Sequence, residues 1–421
     1  MNSKQTIIVV GGGFAGLNFV RELDENLFNI ILIDKVNHHQ FQPLFYQVAT
    51  SQLEPSSISF PFRHILRKKR NVQIRLAETL EIVPEHNTII TTIGEFHYDY
   101  LVLALGCKTN FFGNSSIEKY ALTLKTTYDA ITIRNHILQT FENIISANKD
   151  DKEALLNLVI VGAGPTGVEL AGAFAEIKRN ILPKDYPRID FSKFKIILVE
   201  GSKNTLNNMS SLAKSTSRKY LEKMGIEIRT ELFVTNYDGN ILQLSDGTTL
   251  QTDNLIWAAG VTANTIQGIP DTHYVGGHRL QVDRHNKIIG LQNIYAIGDI
   301  AYMQTNKYPN GHPQLANVAI NQAKTLANNL KRKLHGKDQV EYEYVDLGSM
   351  ATIGRNKAVV DLPFVKFKGI FAWSIWMFLH LMLILSVRNK LIIFINWAWA
   401  YFSKNTALRL ILKDNKHRNS D

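Results

Sequence analysis

One cysteine, Cys107, in 421 residues leaves no partner for an internal disulfide and too few thiolates for a cysteine-bound metal cluster. That scarcity fits a reducing compartment. The thirteen histidines, with His38 and His39 adjacent, fall at no metal-ligand spacing. They read as solvated or structural, and no metal is expected. A secretory signal is also missing, because the apolar run from Thr6 to Val10 is five residues long, whereas a signal core needs about 7–15. This places the chain in the cytoplasm, folding almost from its first residue. Acidic charge is in short supply: the net charge is +10, and from Arg388 onward seven Lys and Arg face two Asp. Such an excess points to an anionic partner, whether nucleic acid, an acidic protein or a lipid surface. What the chain does have is 45% hydrophobic residues, ample for a core and incompatible with low-complexity disorder.

The length allows two or three domains, and the sequence repeats itself once. Ile7–Val10 runs into Gly11, and Leu158–Val161 runs into Gly162. A second aliphatic strand follows in each copy and ends in an acid, at Asp34 and at Glu200. Each copy then shows alternating strand-like runs with turn signals, Val72 to Tyr100 and Ile226 to Thr252. Each closes on a matching strand that ends at Gly106 or Gly260, which lie 95 and 98 residues after the opening glycine. The acid comes 23 residues after the first glycine in one copy and 38 in the other, so a loop insertion is expected around Asn180–Lys193, which holds Pro183 and Pro187. A further strand, Asn293 to Asp299, and a helix from Leu315 to Leu334 follow. The basic run from Arg63 to Arg70 reads as a solvated helix face, and Cys107 as a packing residue.

The two glycine clusters carry chemistry. Gly11-Gly12-Gly13-Phe14-Ala15-Gly16 and Gly162-Ala163-Gly164-Pro165-Thr166-Gly167 each follow a strand and open a helix. The first glycine makes the tight turn, the second admits a pyrophosphate to the backbone, and the third allows close helix–strand packing. The helix N-terminus supplies amide donors. Asp34 and Glu200 then stand where a ribose hydroxyl is bound. Two dinucleotides on one chain imply electron transfer between a bound flavin, FAD, and an exchangeable nicotinamide. The charge of Glu200 repels a 2′-phosphate, which favours NADH over NADPH, although Lys203 is near enough to soften the preference. Gly260, closing the second copy, is counted with the NADH site. Glu169 follows the third glycine by two residues and reads in two ways. It is either an acid in a first helical turn, stabilised by the macrodipole, or a desolvated carboxylate with a raised pKa facing the reacting rings. Asp299 after Gly298 is either an ordinary strand-end turn or a ligand of the flavin's ribityl chain.

Several strings together bring a family resemblance. They are His39-Gln-Phe-Gln-Pro-Leu-Phe-Tyr-Gln-Val-Ala49, Gly162 to Gly172, Tyr295 to Asp299, and Ala372-Trp-Ser-Ile-Trp376 with His380 and Arg388-Asn-Lys390. On these residues the chain resembles the type II NADH dehydrogenases, single-subunit NADH:quinone oxidoreductases that do not pump protons. The resemblance covers nearly the whole chain. It implies FAD held non-covalently by Gly11 to Gly16, Asp34, Lys35, the backbone of Leu80, Gly298, Asp299, Ala316, Asn317 and Lys368. It implies NADH at Gly162 to Gly167 and Glu200, with Glu169 between the rings, and a quinone tunnel near Asn317, Asn321 and Lys368. The family's Ala-Gln-x-Ala-x-Gln-Gln motif is here Ala316-Asn317-Val318-Ala319-Ile320-Asn321-Gln322, so two glutamines are shortened by one methylene. Related disulfide reductases and sulfide:quinone reductases need cysteines that this chain lacks. A soluble reductase of ferredoxin or rubredoxin type and a non-catalytic NADH-sensing flavoprotein remain as other readings.

The C-terminal stretch bears on that choice. Gly369 to Val387 is a nearly uncharged run of 19 residues, long enough to span a bilayer, while Leu391 to Phe402 is 12 residues and too short to return. Phe371, Trp373, Trp376, Phe378 and Phe394 suit an interfacial position, and basic residues follow each segment. The preferred reading is a helical extension lying in the membrane plane; a single span and a buried core helix are the alternatives. The expected architecture is α/β, with two Rossmann-like domains and this membrane-anchoring extension. Residues 1–115 and 285–345 would bind FAD, 116–284 NADH, and 346–421 the membrane and a second copy of the chain. The expected partners are a membrane quinone, a lipid bilayer surface and a homodimer mate, without nucleic acid. The expected location is peripheral, on the cytoplasmic face of the cell membrane.

Overall fold

Strands that are aliphatic on both faces, such as Ile7-Ile8-Val9-Val10, can only be satisfied inside a sheet covered on both sides, and both repeats build such a sheet. The computed structural model describes residues 4–146, 152–406 and 408–412. By its contacts the chain divides into two units, one of Met1–Gln40, Phe60–Lys108 and Val261–Val345, the other of Phe41–Ser59, Thr109–Gly260 and Asp346–Asp421.

In the first unit five parallel strands lie in the order Ile294–Ala296, Tyr100–Leu103, Gln5–Val10, Phe28–Asp34, Val72–Leu76. The register pairs Ile7 with Ile30 and Val10 with Ile33. The helix Phe14–Glu22 crosses over from the first strand and packs against the helix Ala316–Leu334. An antiparallel sheet of Thr79–Val83, Thr88–Thr91 and Gly94–His97 is appended. Ile8, Leu101, Leu103, Ile294 and Met303 form part of one fully buried cluster.

The second unit repeats the last four strands of this order, while its outer strand comes from before the repeat instead of after it: Leu122–Thr123, Asn254–Trp257, Asn157–Val161, Lys195–Glu200, Ile226–Thr230. It too carries an antiparallel sheet, Val234–Tyr237, Ile241–Leu244 and Thr249–Gln251. The duplication legible in the sequence is therefore the architecture. The extra residues before Glu200 are only partly a loop. The crossover helix Phe14–Glu22 has 9 residues and its counterpart Pro165–Asn180 has 16, with the short helix Leu182–Asp185 after it. The basic run from Arg63 is solvated as expected, but only Phe62–Ile65 of it is helical.

The C-terminal part of the second unit adds the antiparallel strands Ser349–Gly354, Lys357–Asp361 and Lys366–Lys368, then the helices Ile370–Leu383 and Val387–Ser403. Gly172 lets the helix Pro165–Asn180 lie directly on the first of these strands, since a methyl group there would sit 1.9 Å from the Ile353 carbonyl oxygen. The first of the two C-terminal helices ends at Leu383 because Ile384 turns extended, leaving 14 residues, about 21 Å against a core of about 30 Å. No helix among the described residues is long and apolar enough to cross a membrane. The span that length alone allowed for Gly369–Val387 is not formed. The cations Lys413, Lys416 and Arg418 of the expected basic tail lie outside the described residues.

Candidate functional site

In the first unit the turn after Val10 needs glycine twice. Gly11 has φ +100°, and a methyl group on it would meet the Ala104 carbonyl oxygen at 2.3 Å; on Gly16 it would meet the Gly11 oxygen at 1.8 Å. Gly13 has nothing within 4 Å of such a methyl, so the N-terminus of the helix Phe14–Glu22 opens to space. Gly12 N donates to Asp34 Oδ2 at 2.6 Å and Val36 N to Oδ1 at 2.9 Å. Burial pushes the Asp34 carboxyl up against these backbone donors, which pull it down. Ala15 packs beside Gly298, whose N donates to Gln322 Oε1 at 2.8 Å. Asp299 Oδ2 accepts from Cys107 Sγ at 2.9 Å, so the lone cysteine is a hydrogen-bond partner as well as a packing residue. Lys35 is exposed and paired with Glu78, and Leu80 is 45% exposed. At the start of the helix Ala316–Leu334, Asn317 Oδ1 is buried without a hydrogen-bond partner, as is Gln322 Nε2 one turn and a half later; Asn321 is exposed. An open helix N-terminus, an acid at the strand tip and orphaned amides beside Gly298 fit a dinucleotide with a polar linker.

The second unit repeats the geometry. Gly162 has φ +101°, a methyl on Gly167 would meet the Gly162 oxygen at 1.8 Å, and Gly164 is open like Gly13. Glu200 Oε2 accepts from Ala163 N at 2.6 Å, while Oε1 accepts from Ser202 N at 2.8 Å and Ser202 Oγ at 2.7 Å. Pro165 and Thr166 face solvent at the helix start, and Lys203 is exposed. Gly260 (φ +77°) lies against the Phe112 ring. On the sequence expectation that Glu200 reads a ribose, replacing it by Ala removes that acceptor and a negative charge that would resist a 2′-phosphate. NADH-over-NADPH preference, measured as the ratio of kcat/KM values, is expected to fall by about tenfold, roughly 1.4 kcal/mol. An unchanged ratio assigns ribose reading to another residue.

Glu169 does not belong to the first helical turn. The helix opens at Pro165, before the third glycine, and its first turn holds no acid. The macrodipole explanation therefore fails. Instead the Glu169 carboxyl lines a pocket of about 90 Å3 walled by Tyr46, Gln47, Glu176, Trp376 and Trp397 among others. Thr352 N donates to Glu169 Oε1 at 3.3 Å. Burial pushes the carboxyl up to about 8, opposed by that N–H and by the Trp376 indole, which favours the protonated form at neutral pH. Trp397 Nε1 donates to Gln47 Oε1 at 2.7 Å, and Gln47 Nε2 to Tyr46 Oη at 2.9 Å. Trp376 stacks on His380 at 4.0 Å between ring centres. Asn389 Nδ2 donates to the carbonyls of Ser56 and Ser57 at 3.0 and 2.9 Å, fixing the last helix to the segment Phe41–Ser59.

The five aromatics expected at an interface thus divide. Phe371, Phe378 and Phe394 are 66%, 60% and 55% exposed, whereas half-buried Trp373 and 1% exposed Trp376 wall the pocket. Lys368 is exposed at the end of an edge strand and is not a wall of that pocket. Tyr46, Gln47 and Trp397 had no assigned role in the sequence. The first two stand in the string from His39 to Ala49 that carries the resemblance, which was the available signal. No cluster of His, Cys, Asp or Glu suited to a metal occurs among the described residues.

The family model for pyridine nucleotide-disulphide oxidoreductases matches residues 5–323, and that for the NDH2 C-terminal domain matches 347–404. The chain is 33% identical over 418 residues to the type II NADH:quinone oxidoreductase Ndh of Mycobacterium tuberculosis, covering 95% of this chain and 89% of that protein. It is 29% identical to the external alternative NADH-ubiquinone oxidoreductase of Yarrowia lipolytica mitochondria, covering 94% and 79%. Its fold matches the structure of NDH2 from Plasmodium falciparum in complex with NADH at a TM-score of 0.90 and 23% identity, covering 97% of this chain and all of that one.

Proposed function

The chain belongs to the type II NADH:quinone oxidoreductases, and we propose on that premise how its residues divide the work. It oxidises NADH and reduces a quinone, with FAD as cofactor. When bound, FAD supplies a two-electron acceptor for the hydride of NADH and a two-electron donor for quinone.

Gly11, Gly12, Gly13, Phe14, Ala15 and Gly16 hold the FAD pyrophosphate on open helix amides, and Asp34 takes the ribose. Lys35, the Leu80 backbone, Gly298, Asp299, Ala316 and Asn317 complete that site; the unpartnered Asn317 Oδ1 and the Gly298 turn support this reading. Gly162, Gly164, Pro165, Thr166, Gly167, Glu200 and Gly260 hold NADH in the same manner. Residues 1–115 with 285–345 serve FAD, 116–284 serve NADH, and 346–421 serve attachment. Glu169, which the resemblance sets between the nicotinamide and flavin rings, is also assigned the proton that goes to the quinone. The observation that carries this is the Glu169 carboxyl lining an aromatic-walled pocket built by the helix Pro165–Asn180 and the C-terminal helices, where burial pushes it up.

The C-terminal helices rest on a bilayer surface without crossing it, which is supported by the exposed row Phe371, Phe378, Phe394, Trp399 and Phe402. We further propose that the protein is peripheral, sits on the cytoplasmic face and pairs with a second copy. No nucleic acid is a partner. Purified protein given NADH should turn over fastest with a quinone, more slowly with ferricyanide and not with a ferredoxin. Ferredoxin as the best acceptor would restore the soluble-reductase reading. Binding of NADH without turnover on any acceptor would favour the sensor.

A further inference from the structure

The pocket at Glu169 contains a second carboxylate that the reaction so far leaves unused. Glu176 lies seven residues further along the helix Pro165–Asn180, two turns away on the same face, about 10 Å along the axis. It lines the Glu169 pocket, and it also lines a cleft of about 790 Å3. Among the described residues, Glu176 and Arg355 alone wall both cavities.

Quinone reduction needs such a connection. In the balanced reaction NADH, a quinone and one proton give NAD+ and a quinol. The hydride carries both electrons and one hydrogen, and the second hydrogen is a proton from water. Glu169 can release one proton to the quinone, after which its carboxylate must be reprotonated before the next turnover. The pocket is roomy enough for several waters, each needing about 10–15 Å3, and Tyr46 and Gln52 give them partners. We propose that Glu176 recharges Glu169: a proton from the cleft is taken up on the Glu176 carboxylate and passed through pocket water to the Glu169 carboxylate, once per quinol formed. This rests on the quinone reading above. Glu176 is assigned the role of a relay rather than of contact with substrate or cofactor.

The groups facing it suit that task. Arg355 N donates to Glu176 Oε1. Burial pushes the carboxyl up, while this N–H and the charges of Lys357 and Arg355 pull it back. Across the pocket stand Glu169 and Tyr46, both raised by burial. The cleft is lined by Lys178, Arg179, Lys223, Arg355, Lys357 and Lys404, with Glu176 the one carboxylate. Small anionic acids would therefore gather there. The bland role of Glu176 is to anchor the turn at Arg355, and a glutamine oxygen can do that equally well.

The experiment uses the flavin-loaded Glu176→Gln protein with two acceptors. Ferricyanide takes electrons without protons, whereas a quinone needs both. Quinone turnover is expected to fall about tenfold or more, with ferricyanide turnover within twofold of wild type. Formate at tens of millimolar should restore much of the quinone rate through the cationic cleft and leave the wild type unchanged. Quinone turnover within twofold of wild type overturns the relay. So does an equal loss with both acceptors that formate does not relieve. Should the glutamine variant fail to load flavin, Glu176→Ala repeats the test with room for formate; if neither loads, Glu176 is structural and the proposal fails. A wild-type protein that reduces ferricyanide but no quinone would contradict the quinone reading itself and is distinguishable from every outcome above.

Discussion

Glu169→Gln is expected to lower quinone turnover by roughly a hundredfold, within the range typical of removing a positioned general acid. The glutamine keeps an oxygen for the Thr352 N–H but has no proton to give. The pH dependence separates this from a simple packing defect. Wild-type quinone turnover should be full below about 8 and decline as pH rises through that value, because the protonated carboxyl is the active form. The variant should be slow and flat. Stability follows the same linkage. The folded carboxyl binds its proton more tightly than the unfolded one, so its contribution is complete below about 4.5 and is lost as pH rises towards about 8. Thermal melts of the two proteins should therefore diverge in favour of the variant between those values. Parallel pH–rate and pH–melting curves would place the proton elsewhere.

Removing residues 366–421 should have a still larger effect on quinone reduction. The cut takes away the edge strand Lys366–Lys368 and both C-terminal helices. Trp376 and Trp397 leave the pocket, Gln47 loses its indole donor, and the Ser56 and Ser57 carbonyls lose Asn389. The exposed surface of Phe371, Trp399 and Phe402, assigned to the bilayer, leaves too. Truncated protein is expected in the soluble fraction, with FAD bound, reducing ferricyanide and with quinone turnover in liposomes down by more than about a hundredfold. Because these helices cover part of the second unit, the cut will also destabilise it. Trp376→Ala is the milder companion: deleting one buried indole costs about 3–5 kcal/mol but leaves the exposed aromatic row in place. That variant should stay on membranes while losing quinone turnover. A truncated, flavin-loaded protein that reduces membrane quinone at the full rate would remove the C-terminal helices from the account.

Much of this was legible before any coordinates. The duplicated sheet and the glycine turns that open each copy depend on local rules. A two-faced aliphatic strand must be central, and a turn with φ near +100° beside a carbonyl at 2.3 Å must be glycine. The pocket obeys no local rule. Gln47 meets Trp397 across 350 residues, and Cys107 meets Asp299 across 192. Nothing in either neighbourhood announces the partner. Spacing from the third glycine suggests the first turn for Glu169, whereas Pro165 begins the helix two residues before that glycine. The aromatic C-terminal stretch reads as one surface in the sequence. Composition cannot tell Phe378, which faces outward, from Trp376, which is a pocket wall, and tertiary packing decides between them.

The most direct test of the central claim is an anaerobic double-mixing experiment on the intact, detergent-purified protein. NADH is added first and the flavin absorbance near 450 nm is followed; a quinone is added next. The account predicts a yellow protein that bleaches with one equivalent of NADH and recovers its full colour on quinone, at a rate fast enough to sustain steady-state turnover. Bleaching that persists after quinone, with recovery only on ferricyanide or a carrier protein, would contradict it.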